Sequence, residues 1–176
     1  MQSVISTNRL CLRNWMPNDI SPLAEMNQDE EVMRYFCNTL TESESMHFYN
    51  RINLHLEKYG FGLYVVENRI TQEFMGYTGF MRAEFAADFT PCVEIGWRFK
   101  KEFWGNGYAT EAATACLEYG FSELEFETVH SFTSSHNKKS AAVMERIGMQ
   151  KMGEFLHPNV PNKHFLQLHV HYTISK

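Results

Sequence analysis

A strand, a glycine-rich turn and a regular helix follow one another between residues 93 and 121. Residues 93–99 have the pattern of a strand. Gly105 and Gly107 lie in the turn that follows, where the missing side chains permit positive φ and a close approach of another molecule. The helix places small and apolar side chains at the spacing of one buried face: Ala109, Ala112, Ala113, Cys116, Leu117, Gly120 and Phe121. Such small residues would allow the helix to lie close to a sheet.

Periodic segments on both sides of this unit predict one domain over residues 1–176, because no linker, repeat or low-complexity tract divides the chain. Thr41-x-x-Glu44 has the form of a capping box, which begins a helix that Gly60 ends. Strands are predicted near residues 9–13, 63–66, 74–80, 93–99, 128–133, 151–155 and 164–174. Helices are predicted after Pro17, after Thr41, after the glycine turn and over residues 137–147. This order predicts an α/β (α+β) fold with a mixed sheet and helices on its faces.

The composition is that of an ordinary globular protein, with 44% hydrophobic and 21% charged residues. The formal net charge of −5 argues against nucleic acid as a partner, because phosphate neutralisation needs a basic face. Apolar runs are too short to span a membrane, and residues 1–6 lack the pattern of a secretory signal. We therefore expect a cytoplasmic protein, monomeric or homodimeric, that binds neither nucleic acid nor membrane. Its four cysteines are far apart and are expected to be free thiols.

The start of the helix after the glycine turn is a candidate phosphate site. A helix N-terminus presents unpaired amides and the positive end of the helix dipole, and both attract anions. The motif is not a P-loop, because no Gly-Lys-Ser/Thr follows, and it is not a dinucleotide fingerprint, because Thr110 stands where a third glycine is needed. A tight turn without a ligand is the alternative interpretation of an isolated Gly-x-Gly.

Two adjoining segments carry a resemblance to a known family. They read EIGWRF (residues 94–99) and FWGNGYATEA (residues 103–112), and they strongly resemble the central acetyl-CoA-binding motif of the GNAT superfamily of N-acetyltransferases. The branch typified by ribosomal-protein N-terminal acetyltransferases is the most similar, since it commonly has Trp at the position of Trp104. Further matches lie at residues 7–13, 31–35 and 137–149. The resemblance implies a GNAT-like, mostly antiparallel central sheet of about seven strands, flanked by about four helices.

The resemblance also implies acetyl-CoA as the co-substrate and assigns parts of its site. Backbone amides of residues 105–109 would hold the pyrophosphate, and the backbone of residues 95–99 would pair with the pantetheine arm where this strand splays from its neighbour. Asn137 matches a family asparagine that touches the cofactor; a helix N-cap is its alternative role, and both roles can hold together. The implied cofactor-binding residues are Ile95, Gly96, Trp97, Arg98, Phe99, Trp104, Gly105, Asn106, Gly107, Tyr108, Ala109, Thr110, Asn137 and Ser140.

Catalysis would need a neutral amine, although most amines are protonated at pH 7. Glu94 matches a glutamate of the branch and is the candidate general base; a surface or ion-paired strand carboxylate is the alternative. Ser140 or water would protonate the departing thiolate, since neither Tyr108 nor Tyr119 matches the tyrosine acid found elsewhere in the superfamily. Because no matched Cys/His pair is present, the amine is expected to attack the thioester directly. Cys92, close to the active strand, keeps a covalent route open.

The acceptor is expected to be a primary amine, either a protein or peptide N-terminus or an amine-bearing small molecule. A non-catalytic acyl-CoA-binding module on the same fold is the alternative function, and a nucleotide-binding protein that uses the glycine turn is a third. Six of the eight histidines lie beyond residue 129, but no metal site is expected, because no carboxylate or Cys stands at fitting spacing. Instead, His157 is expected to line the acceptor pocket. The resemblance places several aromatic residues in segments that flank that pocket: Tyr35, Phe36, Phe61, Phe85 and Phe89. Most of them are expected to be plain core, as large apolar residues usually are.

Overall fold

The computed structural model describes residues 3–176, and in this range eight strands form one sheet. The strands are β1 (Ile5–Ser6), β2 (Leu10–Arg13), β3 (Leu63–Asn68), β4 (Phe74–Ala83), β5 (Cys92–Phe99), β6 (Thr128–Ser134), β7 (Gln150–Leu156) and β8 (Leu168–Ser175). Their spatial order is β1-β2-β3-β4-β5-β6-β8-β7. Neighbouring strands are antiparallel, except β5 and β6, which are parallel. The predicted mixed, mostly antiparallel sheet is therefore confirmed.

Four α-helices flank the sheet in the described residues, as predicted: α1 (Ile20–Gln28), α2 (Glu42–Tyr59), α3 (Tyr108–Ser122) and α4 (Lys138–Arg146). The capping box at the start of α2 is confirmed, since the Thr41 side chain accepts from the Glu44 amide and the Glu44 carboxylate accepts from the Thr41 amide. Gly60 then ends the helix in the left-handed conformation, at φ 75°.

The sheet separates two hydrophobic layers in the described part of the chain. α1 and α2 cover one face, where Trp15, Leu23, Ile52 and Tyr77 are buried together. α3 and α4 cover the other face, and small side chains of α3 lie against Phe80 and other core residues of the strands. The close approach of α3 that its small residues predict is confirmed.

Residues of β5 point alternately into the two layers, because side chains of a strand alternate between the faces of a sheet. Ile95 and Phe99 belong to the core on the α3–α4 face. Glu94 and Arg98 point to the opposite face, in register with Met81 and Tyr77 of β4. One strand thus carries the candidate base on one side of the sheet and core residues on the other.

β5 and β6 pair with one Cα register, Glu94 opposite His130, in the part of the chain that the structure describes. Toward their C-terminal ends the two strands separate, and residues 95–99 and 131–134 line a cavity between them. The splay that the family resemblance implies is therefore present at the predicted place.

Two details differ from the sequence-based prediction. β1 is a short additional strand, antiparallel to β2. It has only two residues, so no alternation in the sequence could predict it. β8 begins at Leu168 and not near residue 164, because residues 157–167 form consecutive turns in which the Val160 amide donates to His157 and the His164 amide donates to Pro161. Within residues 3–176, none of the helices combines the length and the apolar character that crossing a membrane requires.

Candidate active site

A cavity of about 1440 Å³ runs through the gap between β5 and β6 and reaches both layers of helices. Nearly all of the residues that the family resemblance assigned line it: Glu94, Ile95, Gly96, Trp97, Arg98, Phe99, Trp104, Gly105, Gly107, Tyr108, Ala109, Thr110, Asn137 and Ser140. Asn106 is the exception; it is exposed, and its side chain donates to backbone carbonyls of its own turn. The fold therefore brings residues that are far apart in the sequence into one cavity.

The glycine turn has the backbone conformation that its two glycines predict. Gly105 and Gly107 both have φ 78°, and Gly107 is the N-cap of α3. The first amides of α3 thus face the cavity at the positive end of a helix of 15 residues. This arrangement is suited to hold the oxygens of a phosphate.

The N-terminal segment of the chain braces the glycine turn. The Arg9 guanidinium donates to the Asn106 carbonyl over 3.0 Å and pairs with Glu111, in the first turn of α3, over 2.6 Å. Thr7 donates to the same Glu111 carboxylate. Although burial works to raise the pKa of Glu111, the hydrogen bonds from Thr7 and Arg9 outweigh it and hold this pKa below its ordinary value. These contacts fix the turn and the start of α3 to the segment that leads into β2.

The N-terminus of α4 forms the opposite wall of the cavity. Asn137 caps this helix, since its side-chain oxygen accepts from the Ser140 amide over 3.2 Å, and its Nδ2 donates to Ser140 Oγ over 3.1 Å. The N-cap alternative for Asn137 is thus correct, and the same residue also lines the cavity. Because Ser140 Oγ accepts from Asn137, its own proton stays available to a group in the cavity.

Basic side chains of α4 line the same wall, which the sequence analysis missed. Lys138, Lys139 and Arg146 all border the cavity, and Lys139 Nζ lies 4.7 Å from the Trp104 ring centroid. The signal in the sequence was the pair of lysines directly after Asn137. It was overlooked because a lysine pair at a helix start is usually a solvated surface.

Alternate residues of β5 direct their backbone groups into the gap between β5 and β6. The Ile95 carbonyl accepts from Ser131 Oγ over 2.9 Å, and the Phe99 carbonyl accepts from Trp104 Nε1 over 2.9 Å. Trp97 lies midway between them, so by the two-residue period of a strand its amide and carbonyl point into the same gap. An extended ligand can pair with Trp97 there as a neighbouring strand would.

Glu94 lies in this cavity, at the point where β5 and β6 begin to separate. Among residues 3–176, its carboxylate has no hydrogen-bond donor and no cation as a partner, so the ion-paired alternative does not describe its surroundings. Burial without compensation raises the pKa of Glu94 to about 8. A carboxylate with such a pKa is suited to exchange protons near neutral pH.

Cys92 and Tyr119 are placed less favourably for chemistry. Cys92 is buried and does not border the cavity, and burial raises the pKa of its thiol to about 11. The thiol is therefore protonated and weakly nucleophilic at neutral pH. Tyr119 is half-buried beside Tyr64, with ring centroids 6.4 Å apart, and does not border the cavity, whereas Tyr108 borders the cavity with the Arg9 guanidinium over its ring.

Aromatic and histidine side chains close the far end of the cavity. His157 and His169 border it, as predicted for His157, and their ring centroids lie 4.8 Å apart. Phe85 and Phe89 of the β4–β5 connection pack onto this group, with Phe89 stacked 3.9 Å from His171. No group of three or more His, Cys, Asp or Glu side chains within residues 3–176 is arranged to hold a metal ion.

The helix-covered face opposite α3 supplies a set of cavity residues that sequence reasoning did not assign to the site. Tyr77 of β4 and Phe48 of α2 contact the side chain of Arg98 there, and Arg51 of α2 borders the same end of the cavity. They lie with Phe36, which the resemblance had already placed beside the acceptor pocket and which also contacts Arg98. Arg98 had been assigned through its backbone alone. The two-residue period of the strand already placed its side chain on the same face of the sheet as Glu94. Only the folded structure shows which groups surround it.

The fold and the site together define a class of protein, and comparisons with known proteins agree with it. Residues 9–150 match the family described as "Acetyltransferase (GNAT) domain". The uncharacterized N-acetyltransferase YnaD of Bacillus subtilis is 32% identical over 153 residues, which cover 86% of this chain and 85% of YnaD.

Solved structures share the whole architecture. A GNAT-family acetyltransferase from Bacillus anthracis superposes with a TM-score of 0.79 at 27% identity, over 97% of each chain. The ribosomal L7/L12 N-terminal acetyltransferase RimL, solved in complex with coenzyme A, has the same fold with a TM-score of 0.80 at 15% identity, over 99% of this chain and 98% of RimL. This chain belongs to the GNAT family of acetyltransferases.

Proposed function

We propose that this protein transfers the acetyl group of acetyl-CoA to a primary amine by direct attack within a ternary complex. The observation that carries the proposal is Glu94, an unpaired carboxylate with a raised pKa, at the point where β5 and β6 separate. Family membership supports acetyl-CoA as the donor. The geometry supports a path for it from the α3 N-terminus to Glu94.

The donor would lie along the gap between the two strands. Amides of the turn and the first residues of α3 would hold the pyrophosphate, and the backbone of Trp97 would pair with the pantetheine amides. Lys138, Lys139 and Arg146 on α4 would neutralise the remaining phosphate charge. The thioester would then lie near Glu94, on the side of the gap that opens toward α1 and α2.

Glu94 would act as the general base. The amine nitrogen attacks the thioester carbonyl carbon, so that a C–N bond forms and the C–S bond breaks, while the Glu94 carboxylate takes a proton from the amine. Ser140 would donate a proton to the departing thiolate and regain one from water. No acetyl-enzyme is needed, which agrees with the position and the high pKa of Cys92.

A thiol-release assay tests the proposal. Purified protein is incubated with acetyl-CoA and a panel of peptides and small amines, and free coenzyme A and acetylated product are measured together. Equal amounts of thiol and acetyl-amine are expected with at least one amine. Acetyl-CoA binding without release on any amine would contradict the proposal and favour a non-catalytic binding module.

A further inference from the structure

Arg98 is a buried cation without a countercharge. Its side chain is 8% exposed, yet it forms no ion pair with any carboxylate of residues 3–176. Arg13, equally buried, shows the usual arrangement, since it makes two hydrogen bonds to Asp19 and one to Glu67. Buried charges are normally paired in this way, because an unpaired ion loses its hydration without compensation.

The groups that contact Arg98 directly are neutral, and they leave one donor without an acceptor among the described residues. Its guanidinium donates to Asn27 and lies 4.1 Å from the ring centroid of Phe36 and 5.4 Å from that of Tyr77. Such cation–π contacts offset part of the desolvation cost. However, the Nε–H of Arg98 is fully buried and has no acceptor among the described residues. A donor on a side chain that lines the cavity is therefore left without an acceptor among the described residues.

A second unpaired guanidinium lies close by. Arg51 of α2 borders the same end of the cavity, and its charge helps burial to lower the pKa of Arg98. Arg34 is also unpaired there among the described residues, whereas the carboxylate of Glu31 is taken by Lys101. This end of the cavity therefore has an excess of positive charge.

The cofactor is not the natural source of the missing anion. The α3 N-terminus and the basic residues of α4 lie on one face of the sheet, and Arg98 projects from the other face, toward α1 and α2. Glu94 projects to the same face as Arg98, four residues earlier in β5. At about 3.3 Å per residue, the two positions are about 13 Å apart along the strand.

We propose that the acceptor is a primary amine that also carries a carboxylate, with the amine at Glu94 and the carboxylate between Arg98 and Arg51. This rests on the proposed function, since it names the acceptor class of the same site. A carboxylate accepts from the free Nε–H and balances the guanidinium groups. A polyamine would instead bring further positive charge to this end of the cavity.

Matched acceptor pairs that differ in one charge test the proposal. The first pair is Ser-Ala-Asp-Ala amide and Ser-Ala-Asn-Ala amide, and the second is an ω-amino acid and its ω-amino amide. The wild-type protein is expected to favour the carboxylate member by roughly 10- to 100-fold in kcat/KM, the range for a charge-assisted hydrogen bond. Preference in the first pair indicates an acidic peptide, and preference in the second indicates a small amino acid.

Substitution of the arginines shows whether they cause the preference. Arg51→Met, at an exposed position, should remove most of the preference by raising the KM for the carboxylate acceptors. Arg98→Lys, at a buried position, keeps the charge but loses the Nε–H, and it should lower the preference through the same KM. The KM for acetyl-CoA, measured in both variants, separates an acceptor effect from a cofactor effect. Arg82→Met is the control, because Arg82 lies outside the cavity and should leave the preference intact.

Several outcomes would overturn the proposal. Equal rates within both pairs, faster acetylation of spermidine than of either carboxylate, or an unchanged preference in Arg51→Met would each exclude it while leaving the acetyltransferase function intact. Stronger use of phosphoethanolamine than of any carboxylate would assign the anion site to a phosphate and reject the carboxylate. An Arg98→Lys effect confined to the KM for acetyl-CoA would assign Arg98 to the cofactor. If no amine is acetylated, the proposed acetyltransferase function is wrong, and the acceptor proposal that rests on it is wrong as well.

Discussion

Glu94 shows how a single residue can be placed for reactivity at the expense of stability. Most carboxylates of this chain lie on the surface or in ion pairs, but Glu94 is held in a cavity without a partner among residues 3–176. Its folded-state pKa of about 8 lies above the value near 4.3 expected for an unfolded chain. The folded state therefore binds the extra proton between these two pH values, and stability falls as the pH rises through that window.

Replacement of Glu94 by Gln should therefore lower the rate and raise the stability. Loss of a general base is expected to reduce kcat by roughly 100-fold or more, with little change in the affinity for acetyl-CoA. The gain in melting temperature over the wild type should be small at pH 5, where Glu94 is protonated, and should grow toward pH 8. Turnover and thermal melts across this pH range measure both effects.

Cys92→Ala is the matched control for this test, because Cys92 precedes Glu94 on the same strand but lies outside the cavity. It should keep its turnover. If Cys92→Ala abolished turnover while acetyl-CoA still bound, the direct mechanism would be wrong. If the Glu94→Gln variant kept the wild-type rate, Glu94 would not be the general base.

Among the secondary-structure elements, α3 is fixed by its small residues. A Cβ added at Gly120 would lie 2.7 Å from a ring atom of Phe80, which is fully buried and cannot withdraw. Gly120→Ala should therefore destabilise the fold by about 1–2 kcal/mol, because overpacking exceeds the gain in helix propensity. Urea unfolding measures the change.

Thr114→Ala on the exposed side of the same helix is the control, and it should be neutral or slightly stabilising. A stabilising Gly120→Ala would mean that the sheet can relax away from α3, and that the close approach of this helix is not rigidly set.

The β4–β5 connection is held by aromatic contacts with neutral histidines. Phe89 stacks on His171, and His171 Nε2 lies 2.9 Å from His130 Nδ1, so at most one proton fits between these two nitrogens. Burial lowers the pKa of His171 to about 4, aided by His130, and burial also lowers the pKa of His130. The unfolded state, with values near 6.5, binds more protons between pH 6.5 and 4.

Acid should therefore destabilise this region through His171. As the pH falls from 7 toward 4.5, the wild type is expected to lose stability relative to His171→Gln, which cannot titrate there. Urea midpoints of both proteins at several pH values measure this difference. His47→Gln, on the exposed surface of α2, should follow the wild type at every pH. Parallel curves for the wild type and His171→Gln would contradict the assignment.

At the scale of the whole molecule, the sheet consists of two parts that meet weakly. Within the described residues, strands β1–β5 and strands β6–β8 join through the Glu94–His130 register and the Ser131–Ile95 hydrogen bond, and they separate beyond it. A donor that lies in the gap would contact both parts at once. Binding energy would then add directly to the stability of the fold, since the site requires the folded state.

Acetyl-CoA should therefore raise the melting temperature. At a free concentration of about 100 times Kd, the linkage gives about 2.7 kcal/mol, or roughly 5–10 °C for a domain of this size. Thermal melts with acetyl-CoA, ATP and NAD measure the effect, and ATP and NAD are expected to give little change. A shift with ATP or NAD equal to that with acetyl-CoA would favour the nucleotide-binding alternative.

Local rules of the chain were sufficient for much of the architecture. The capping box at Thr41, the helix end at Gly60 and the face of α3 were predicted because each depends on residues within a few positions of one another. The glycine turn was also predicted from its own residues, and the family resemblance added acetyl-CoA and the candidate roles of Glu94 and Asn137. β1 was not predicted, because a strand of two residues has no period of its own. The start of β8 was misplaced, because it depends on where pairing with β6 and β7 begins.

The sequence by itself therefore determined most of the elements, the conformation of the glycine turn and the family. The tertiary structure alone decided which side chains share the cavity, because burial and pairing depend on residues that are distant in sequence. Arg13 and Arg98 are both buried arginines near the ends of strands, yet Arg13 contacts two carboxylates, whereas Arg98 contacts aromatic rings and the Asn27 amide. That difference in surroundings, and not the residue type, points to the acceptor.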